Sequence, residues 1–290
     1  LAYSNGPGGA TALPFEHYEM LEPETRNATI TTLKSLVATG ASETRRDRVE
    51  LVGLGFHTPN ASLTHGLENT LGYNPVRLAV YSRAVGAGDT SGSPGDRKFT
   101  LLFPSYRSAL ADRLGLRYIA TGVPIEEIDT SLTPGDLPLV ARTPGGFIYE
   151  NERAWPRVRF ATGTIGGDFA RIIETGQGLA DASTIVIEGQ LGATASTGEP
   201  GSVRIVSYAN TEVVLEASSA SGGYVVLHDI WHPWWRATVD GAAAEIIRAD
   251  VLFRAVRVGP GHHVVRFTFE PVAGALATVL ARLKGRQGGG

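Results

Sequence analysis

Apolar and polar residues alternate with a period of two along most of the C-terminal part of the chain. In the last such segment Val265, Phe267 and Phe269 share one face, and the residues between them share the other. Alternation of this kind indicates half-buried β-strands. The segments are separated by turn residues and span 184–188, 203–208, 211–216, 224–229, 236–239, 244–248, 251–258 and 263–270. Their spacing predicts an antiparallel β-sandwich over residues 181–271.

The part of the chain before this region mixes helical and strand patterns. Asn27 is placed to cap a helix over 28–39, and Gly40 is placed to end it. Further helices are predicted over 75–85, 104–114 and 168–174, and strands over 48–54, 117–121, 137–142, 147–150 and 157–161. This alternation predicts a mixed α/β domain over 26–180, after an irregular lead-in over 1–25. The predicted fold class is therefore α+β, with an N-terminal mixed α/β domain followed by an antiparallel β-sandwich.

Two local signals mark the β-rich region and its end. Asp240-Gly241 lies between two predicted strands and predicts a tight type I′ hairpin turn, because that turn needs positive φ at both central residues. Beyond residue 271 the apolar period becomes helical, which predicts a short amphipathic helix within the tail 272–290. Its apolar face contains Val272, Leu276, Val279, Leu280 and Leu283. A helix of this length is too short to cross a bilayer, but it is suited to lie on one or to pack onto the domain.

Composition narrows the class of protein. Hydrophobic residues make up 42% and charged residues 19% of the 290 positions, which excludes a disordered chain. The net charge is −3 with no basic run, so the chain lacks the clustered cations that nucleic-acid binding requires. There is no cysteine, which excludes disulfides and thiolate chemistry. The start at Leu1-Ala2-Tyr3-Ser4, without Met or a signal peptide, predicts a fragment of a longer protein.

The histidines offer one candidate metal site. His228 and His232 are four residues apart, a spacing that suits a shared metal on a helix, whereas this segment has the pattern of a strand and a turn. Strand ends that carry these histidines and Asp229, with His262 or His263 as a further ligand, could still converge in the fold. The alternative is that they are ordinary polar residues at strand ends.

The most unusual composition in the chain is the run Trp231-His232-Pro233-Trp234-Trp235-Arg236. Aromatic platforms stack on sugar rings, and exposed tryptophans on a β-sandwich suit glycan binding. The candidate glycan-binding residues are Trp231, His232, Trp234 and Arg236. The alternative is that one tryptophan fills the core of the sandwich with Arg236 stacked on it.

The position of each tryptophan in this run suggests a different environment. Trp235 directly enters a predicted strand, so it is the tryptophan expected in the core. Trp231 precedes the turn at Pro233 and has less reason to be covered. We therefore expect Trp231 to be open to solvent, with His232 and Arg236 nearby.

No catalytic set follows from the residues themselves. The sequence has no nucleophile elbow, no Walker A loop, no HExxH motif and no dinucleotide-binding fingerprint. Glu126, Glu127 and Asp129 lie close together and are candidates for paired carboxylates of glycoside chemistry, although adjacent acids on a loop are usually only solvated. The sequence therefore predicts no catalytic residue, no metal and no cofactor.

Several segments in succession resemble the large extracytoplasmic C-terminal region of the bacterial YfhO-type membrane proteins. The strongest motif contains Asp229, Trp235, Asp240 and Gly241, followed by Arg254 and Phe269-Glu270-Pro271. Weaker matches are Gly72-Tyr73-Asn74-Pro75 with Tyr81, Leu114–Tyr118, Tyr149-Glu150-Asn151 and Pro156-Arg157. The resemblance spans about residues 45–271. Trp234 departs from it, because the family usually has Gly before this tryptophan.

The resemblance implies that this chain is the periplasmic or extracytoplasmic region of a polytopic inner-membrane protein whose hydrophobic helices precede Leu1. Proteins of this kind look like the GT-C class of lipid-phosphosugar-dependent glycosyltransferases, in which the catalytic acid lies between early transmembrane helices. The implied partners are the transmembrane portion of the same polypeptide and a cell-envelope oligosaccharide. Some relatives end in a final transmembrane helix, at the position that 272–283 holds here.

Three functional hypotheses follow. In the first, the chain is an accessory region that positions or binds an acceptor glycan without performing chemistry. In the second, it is a structural or interaction scaffold that binds no sugar. In the third, it is a self-contained hydrolase that uses the His and Asp residues of 228–232.

Overall fold

The computed structural model of the protein describes residues 3–4, 10–11, 22–54, 60–72, 78–86, 93–189 and 198–275. Within these ranges helices and strands are mixed, and strands predominate. The chain divides into two compact units, which we call unit 1 (Leu1–Ala41 and Arg46–Trp155) and unit 2 (Ser42–Arg45 and Pro156–Gly290).

Unit 1 contains a mixed four-stranded sheet. The strands of this unit are β1 (Tyr3–Ser4), β2 (Ala10–Thr11), β3 (Arg48–Val52), β4 (Leu116–Thr121), β5 (Leu139–Thr143) and β6 (Gly146–Glu150). Its helices are α1 (Ala28–Gly40), α2 (Ala61–Thr64), α3 (Ala79–Val85) and α4 (Ala109–Arg113), with 3₁₀ turns at Pro94–Asp96 and Ile125–Glu127. The sheet order is β3-β4-β6-β5; β3 and β4 are parallel, and the other two pairs are antiparallel. β1 and β2 form a separate antiparallel pair, and most of the predicted lead-in over 1–25 lies outside the described residues.

Helix α1 begins where the sequence predicts. The Asn27 side chain accepts hydrogen bonds from the backbone N–H groups of Thr29 and Ile30, which satisfies two donors that the first helical turn leaves unpaired. Ile30 and Leu33 are fully buried in the unit 1 core with strand residues such as Val49 and Ile148. The cap and one apolar face are therefore sufficient to define this helix.

Helix α4 is shorter than the prediction over 104–114. The buried carboxylate of Asp129 accepts hydrogen bonds from the Ser105 hydroxyl at 2.7 Å and from the Tyr106 backbone N–H at 2.9 Å. These bonds hold the chain in a turn, so the helix begins only after Ser108, whose hydroxyl accepts from the Ala111 N–H. For the helix predicted over 75–85, residues 73–77 lie outside the described residues and α3 is helical from Ala79.

The described part of unit 2 contains two larger sheets. Its elements are β7 (Val158–Ala161), β8 (Gly163–Gly167), α5 (Phe169–Thr175), β9 (Thr184–Glu188), β10 (Ser202–Tyr208), β11 (Glu212–Ser219), β12 (Gly223–Leu227), β13 (Trp235–Val239), β14 (Ala242–Ala244), β15 (Ile247–Ala249), β16 (Phe253–Val258) and β17 (Gly261–Phe269). The five-stranded sheet has the order β10-β11-β17-β13-β14, and the six-stranded sheet has the order β7-β12-β16-β15-β9-β8. One buried cluster joins them, with Leu215 and Phe267 from the first sheet and Val225 and Val256 from the second.

The division between the units lies near residue 155, whereas the sequence predicts a domain boundary at 180/181. The difference arises because β7 pairs with β12 and buries Val158 and Phe160 in the unit 2 core. β8 continues this sheet by pairing with β9, and that pair is parallel. The six-stranded sheet is therefore mixed, because it includes β8 from before residue 181, whereas the strand pairs within the predicted range 181–271 are antiparallel.

The predicted strand over 244–248 is two strands in different sheets. β14 pairs with β13 in the five-stranded sheet, and β15 pairs with β16 in the six-stranded sheet. The chain crosses from one sheet to the other over Glu245 and Ile246. Periodicity cannot reveal such a crossing, because the side chains keep alternating through it.

The tail is described only at its start. Residues 271–275 are helical, and residues 276–290 lie outside the described residues, so the apolar face that the sequence predicts up to Leu283 is not tested. In the described part of the chain, no helix combines the length and the apolarity needed to span a bilayer.

Candidate functional site

The run Trp231–Arg236, which we call the aromatic segment, spans the end of the β12–β13 connection and the first two residues of β13, and it is fixed at both ends. The backbone N–H of Trp231 donates to the carbonyl of Leu252 at 2.7 Å, and the carbonyl of Trp234 accepts from the N–H of Glu270 at 3.0 Å. These bonds join the segment to a neighbouring turn and to the end of β17. Three of the four predicted glycan-binding residues therefore lie on a connection with a defined backbone, and Arg236 lies at the start of β13.

The carboxylate of Asp229 lies just before the aromatic segment and is shared by two buried arginines. Arg157 Nη1 donates to Asp229 Oδ1 at 3.0 Å, and Arg254 Nη2 donates to Oδ2 at 3.1 Å. The Tyr208 hydroxyl donates to Oδ2 at 2.6 Å and accepts from Arg157 Nη1 at 2.8 Å. We call these four residues the Asp229 centre. Hydrogen bonds between charged groups are among the strongest in proteins, so this centre fixes the start of the segment.

Trp235 joins the aromatic segment to the Asp229 centre. The Arg254 guanidinium lies 3.7 Å from the centroid of the Trp235 ring and 5.3 Å from that of Phe267, so Arg254 holds the stacking position that the sequence suggests for Arg236. Trp235 is half-buried and packs against the unit 2 core, which places it beside the core rather than fully inside it as expected. The structure thus brings Arg157, Trp235 and Arg254 together around one carboxylate.

A second buried ion pair engages His228. Arg159 Nη2 donates to Asp250 Oδ2 at 2.8 Å, and Asp250 Oδ1 accepts from the Val186 N–H at 2.9 Å. The His228 ring contacts the Pro156 carbonyl through Nδ1 at 2.8 Å and Arg159 Nε through Nε2 at 3.3 Å. Burial lowers the pKa of the Arg159 guanidinium, although Asp250 acts in the opposite direction.

This arrangement bears on the metal hypothesis for 228–232. Both ring nitrogens of His228 are engaged by unit 2 itself, and the residue is fully buried. The His232 ring instead lies against Trp234 and Phe269. Among the described residues, no group of three or more His, Asp or Glu side chains is arranged to hold a metal ion.

Four rings pack together at the end of β17. The centroid of Phe269 lies 5.7 Å from that of His232, 6.1 Å from that of Trp234 and 5.1 Å from that of Trp235, and the His232 and Trp234 rings are 4.7 Å apart edge to face. We call these four residues the aromatic cluster. Each ring is half-buried, so one part of the cluster packs against the protein and another part faces solvent.

The start of the tail helix lies against this cluster. A side chain at Gly274 would place its Cβ in collision with ring atoms of Trp234, so glycine is required for the helix to approach the indole. Gly274 N–H donates to the Glu270 carbonyl at 2.9 Å, which begins the helix. The start of the tail helix therefore packs against the ring of Trp234, the residue that departs from the family pattern.

His232 is neutral near pH 7. Burial lowers the pKa of its imidazole below the ordinary value for histidine. Its Nδ1 accepts from the Trp234 backbone N–H at 3.2 Å, so the ring proton is on Nε2. Within the described residues Nε2 makes no hydrogen bond, and it is available as a donor.

Arg236 is exposed, but its guanidinium already contacts local groups. Nη1 donates to the Pro233 carbonyl at 2.8 Å and to the Trp235 carbonyl at 3.0 Å, and Nε lies 3.8 Å from the Glu270 carboxylate. This side chain therefore braces the turn at Pro233.

Trp231 is separate from the aromatic cluster. Its half-buried ring lies 5.8 Å from the guanidinium of Arg248, which also lies 4.9 Å from the ring of Phe169. This differs from the expectation of an open Trp231 with His232 and Arg236 nearby. The reason is that the turn at the start of the segment directs the Trp231 ring towards β15.

The Asp240-Gly241 turn has the predicted conformation, with φ of 52° at Asp240 and 83° at Gly241. It joins β13 to β14. The Asp240 carboxylate accepts from the Val264 N–H at 2.8 Å and contacts His263 Nδ1 at 2.7 Å. The turn is thereby tied to β17.

Two predicted motif residues belong to unit 1. The Asn151 side chain donates to Asp112 at 2.9 Å and to the Leu116 carbonyl at 3.2 Å, and the Tyr149 hydroxyl accepts from the Ile125 N–H at 3.3 Å. Both residues tie segments that flank β4 to β6, the two inner strands of the sheet, so they serve the packing of unit 1.

The three acids on the loop after β4 do not form a carboxylate pair. Asp129 is buried, and its two oxygens accept hydrogen bonds from Ser105, Tyr106 and Ser131. Glu127 is exposed and Glu126 is half-buried in the adjacent 3₁₀ turn. Asp129 therefore shapes the loop.

A buried polar group in unit 1 is absent from the sequence predictions. Glu50 is fully buried in β3, where Oε1 accepts from Arg97 Nε at 2.6 Å and from the Tyr106 hydroxyl at 2.7 Å, and Oε2 accepts from the Thr70 hydroxyl at 2.6 Å. We call this the Glu50 centre. The Arg97 guanidinium also lies 4.4 Å from the ring of Phe99. The signal that could have revealed it is a carboxylate between the apolar residues Val49 and Leu51 of a strand.

Comparison with protein-family models, with curated proteins and with solved structures finds no match for this chain.

Proposed function

We propose that this chain is a non-catalytic extracytoplasmic region of a polytopic bacterial inner-membrane protein and that it holds a cell-envelope glycan. The proposal rests on the resemblance to YfhO-type proteins. It includes the architecture predicted from the sequence, an α/β domain followed by a β-sandwich. In this proposal the transmembrane portion of the same polypeptide supplies the chemistry of a lipid-phosphosugar-dependent glycosyltransferase. The glycan-binding surface is the aromatic cluster.

The observation that carries the proposal is the half-buried indole of Trp234 in a fixed setting. Phe269 and His232 support the ring, and the Asp229 centre holds the chain that leads to it. A binding surface is effective when neighbouring contacts lock the side chains that form it. A preorganised aromatic face of this kind suits stacking on the apolar face of a sugar ring.

His232 supplies the polar complement. Because its Nδ1 accepts from the backbone of the segment, its Nε2–H is available to donate to a sugar hydroxyl beside the Trp234 ring. The lowered pKa keeps the ring neutral, which suits a neutral hydroxyl acceptor. Trp234 and His232 therefore carry the proposed binding, and Arg236 positions the turn.

The second candidate is a scaffold that binds no sugar. The observation in its favour is that Arg236 directs its donors to the Pro233 and Trp235 carbonyls, while the tail helix begins on Trp234. In a scaffold, the aromatic cluster would serve to dock the tail helix onto unit 2.

Binding of neutral tetrasaccharides to the purified chain separates the two candidates. We expect saturation-transfer NMR with cellotetraose, chitotetraose and mannotetraose to detect binding of at least one sugar. Trp234→Phe keeps a smaller aromatic ring and should weaken that binding by about tenfold, whereas the matched control Trp155→Phe in unit 1 should leave it unchanged. Absence of saturable binding by all three sugars, or equal binding by both variants, would favour the scaffold.

A further inference from the structure

A concave pocket of about 500 Å³ lies in unit 2 at the start of β12, whereas the aromatic segment follows the end of that strand. Its volume is within the range of small-ligand sites. Residues lining it include Thr162, Ser221, Gly222, Tyr224, Arg257 and Pro260.

Gly222 and Gly223, at the start of β12, allow the backbone beside the pocket to pack closely. Gly222 has φ of 79°, and its N–H donates to the Ser219 hydroxyl at 3.1 Å, which fixes the turn. A Cβ on Gly222 would lie 2.8 Å from the Val258 carbonyl oxygen, and one on Gly223 would lie 2.5 Å from the Ala161 carbonyl oxygen. Larger residues at either position would require the backbone to shift.

Two polar side chains stand next to each other in this pocket. Tyr224 and Arg257 are directly paired across β12 and β16, so their side chains project from the same face of the sheet. That face is opposite to the one on which Val225 and Val256 enter the core. Both side chains are therefore presented by a rigid sheet rather than by a loop.

Arg257 differs from the other arginines of the same sheet. Arg159 and Arg254 are buried and paired with aspartates, and Arg248 Nε donates to the Val251 carbonyl at 2.6 Å. Arg257 is exposed, and within the described residues its guanidinium has no ion pair or hydrogen bond; the Tyr224 hydroxyl likewise has none there. Among the described residues that line the pocket, Arg257 is also the only one with a charged side chain.

We propose that this pocket binds an oxyanion, a carboxylate or a phosphate, carried on a sugar. A guanidinium binds such groups through two parallel hydrogen bonds, and the Tyr224 hydroxyl is placed to donate another. The Ser221 hydroxyl and the open volume of the pocket suit the sugar that carries the charge. The choice of a sugar as carrier rests on the proposed function, whereas the oxyanion site rests on the pocket alone.

The test is amide NMR of the full chain titrated separately with glucuronate, glucose 6-phosphate, inorganic phosphate and glucose. We expect the sugar acid, the sugar phosphate or both to shift the amide signals of Gly222, Gly223 and Gly259 saturably, with inorganic phosphate weaker and glucose inactive at the same concentrations. Arg257→Gln should weaken binding by about tenfold or more, because a charged hydrogen-bonding partner is lost. Tyr224→Phe should weaken it less.

Arg171→Gln is the matched control, since Arg171 is an exposed arginine on α5 of the same unit and its removal changes net charge equally. It should bind as the wild type does, and the amide spectrum of each variant reports whether it folds. If Arg257→Gln does not fold, Tyr224→Phe decides the test. Anion binding that survives Arg257→Gln in a folded protein, equal shifts from glucose, or no shift from either sugar anion would overturn the site. Inorganic phosphate binding as tightly as both sugar anions would overturn the sugar carrier.

The same titrations distinguish this site from the aromatic cluster. Shifts at Gly222 and Gly259 without any binding of neutral tetrasaccharides would support the oxyanion site while the proposed function fails. Tetrasaccharide binding at Trp234 without anion shifts at these glycines would overturn the oxyanion site and leave the proposed function in place.

Discussion

The Glu50 centre of unit 1 and the Asp229 centre of unit 2 each neutralise a buried carboxylate, but with different numbers of arginines. Each buries a carboxylate with arginine and a tyrosine hydroxyl, and in each an arginine lies against aromatic rings. Glu50 is matched by one arginine, and both side chains are fully shielded from solvent. Asp229 is matched by two arginines and keeps 12% of its side chain exposed.

The difference indicates two roles. A fully enclosed one-to-one pair within a core adds no accessible chemistry and serves packing. A carboxylate shared by two arginines at the start of a surface connection positions that connection, which in unit 2 is the aromatic segment. Buried charge alone therefore does not identify a functional site, and the segment that the charge holds is the informative part.

The largest expected effect is the loss of the Glu50 carboxylate. Glu50→Leu should destabilise unit 1 by about 3–5 kcal/mol, because it leaves the Arg97 guanidinium buried without its partner. The double variant Glu50→Leu/Arg97→Met should recover most of that loss, since both charges are then removed. Urea unfolding followed by hydrogen exchange in β3 and β4 measures both effects. A double variant as unstable as the single one would contradict a one-to-one pair.

The Asp229 centre should respond differently to loss of its carboxylate and of one arginine. Asp229→Asn should cost about 3 kcal/mol, near the lower end for a broken buried pair, because the site retains some exposure. Adding Arg254→Met should not restore stability, since Arg157 remains buried with the amide. Hydrogen exchange in β12 and β16 reports the cost. Full recovery in the double variant would show that Asp229 also belongs to a simple pair.

Trp235 and Trp231 are expected to contribute differently to the stability of unit 2. Trp235→Ala should cost about 2 kcal/mol, less than the roughly 3–5 kcal/mol of a fully buried aromatic, because the ring is half-buried and stacks on Arg254. Trp231→Ala, the matched control, should change stability by about 1 kcal/mol or less. Thermal unfolding of both variants provides the comparison, and an equal loss for the two would contradict the separate roles assigned to them.

The smallest expected effect is the pH dependence of the Asp240 hairpin. The hydrogen bond to Asp240 raises the pKa of His263, so its stabilising contribution is complete below the unfolded pKa near 6.5 and is lost as pH rises through the raised folded value. The pKa of Asp240 is lowered, first by the Val264 N–H and then by His263, so its contribution is lost only in acid.

The hairpin contribution is therefore expected to decline as pH rises from about 6.5 through the raised pKa of folded His263. Thermal unfolding over this range should show a decline in melting temperature that is smaller in Asp240→Asn, which cannot form the ion pair. An identical pH profile in the variant would show that the His263–Asp240 contact contributes nothing measurable.

Local signals predicted local structure. The Asn27 cap and the Asp240-Gly241 turn occur as expected, because each depends on residues within three positions of the backbone that they fix. The unit division differs from the predicted boundary because β7 pairs with β12, far away in sequence. Periodicity identifies a strand but not its partner.

The candidate site was predictable only in part. The composition of the aromatic segment pointed to this connection, but ring directions depend on the turn at Pro233 and on Phe269, which the sequence does not reveal. Trp234, rather than Trp231, therefore lies beside His232. The sequence does not distinguish Arg257 from other arginines, because its lack of a partner within the described residues follows only from the pairing of strands β12 and β16.

The most direct test of the proposed function is ¹⁹F NMR of the chain labelled with 5-fluorotryptophan. The four tryptophans give four signals, assigned by single Trp→Phe variants. On titration with a neutral tetrasaccharide that binds, the Trp234 signal should shift saturably, Trp235 should respond less, and Trp155 and Trp231 should remain unchanged. If no tetrasaccharide moves the Trp234 signal, or if Trp155 moves equally, the aromatic cluster is not a glycan site.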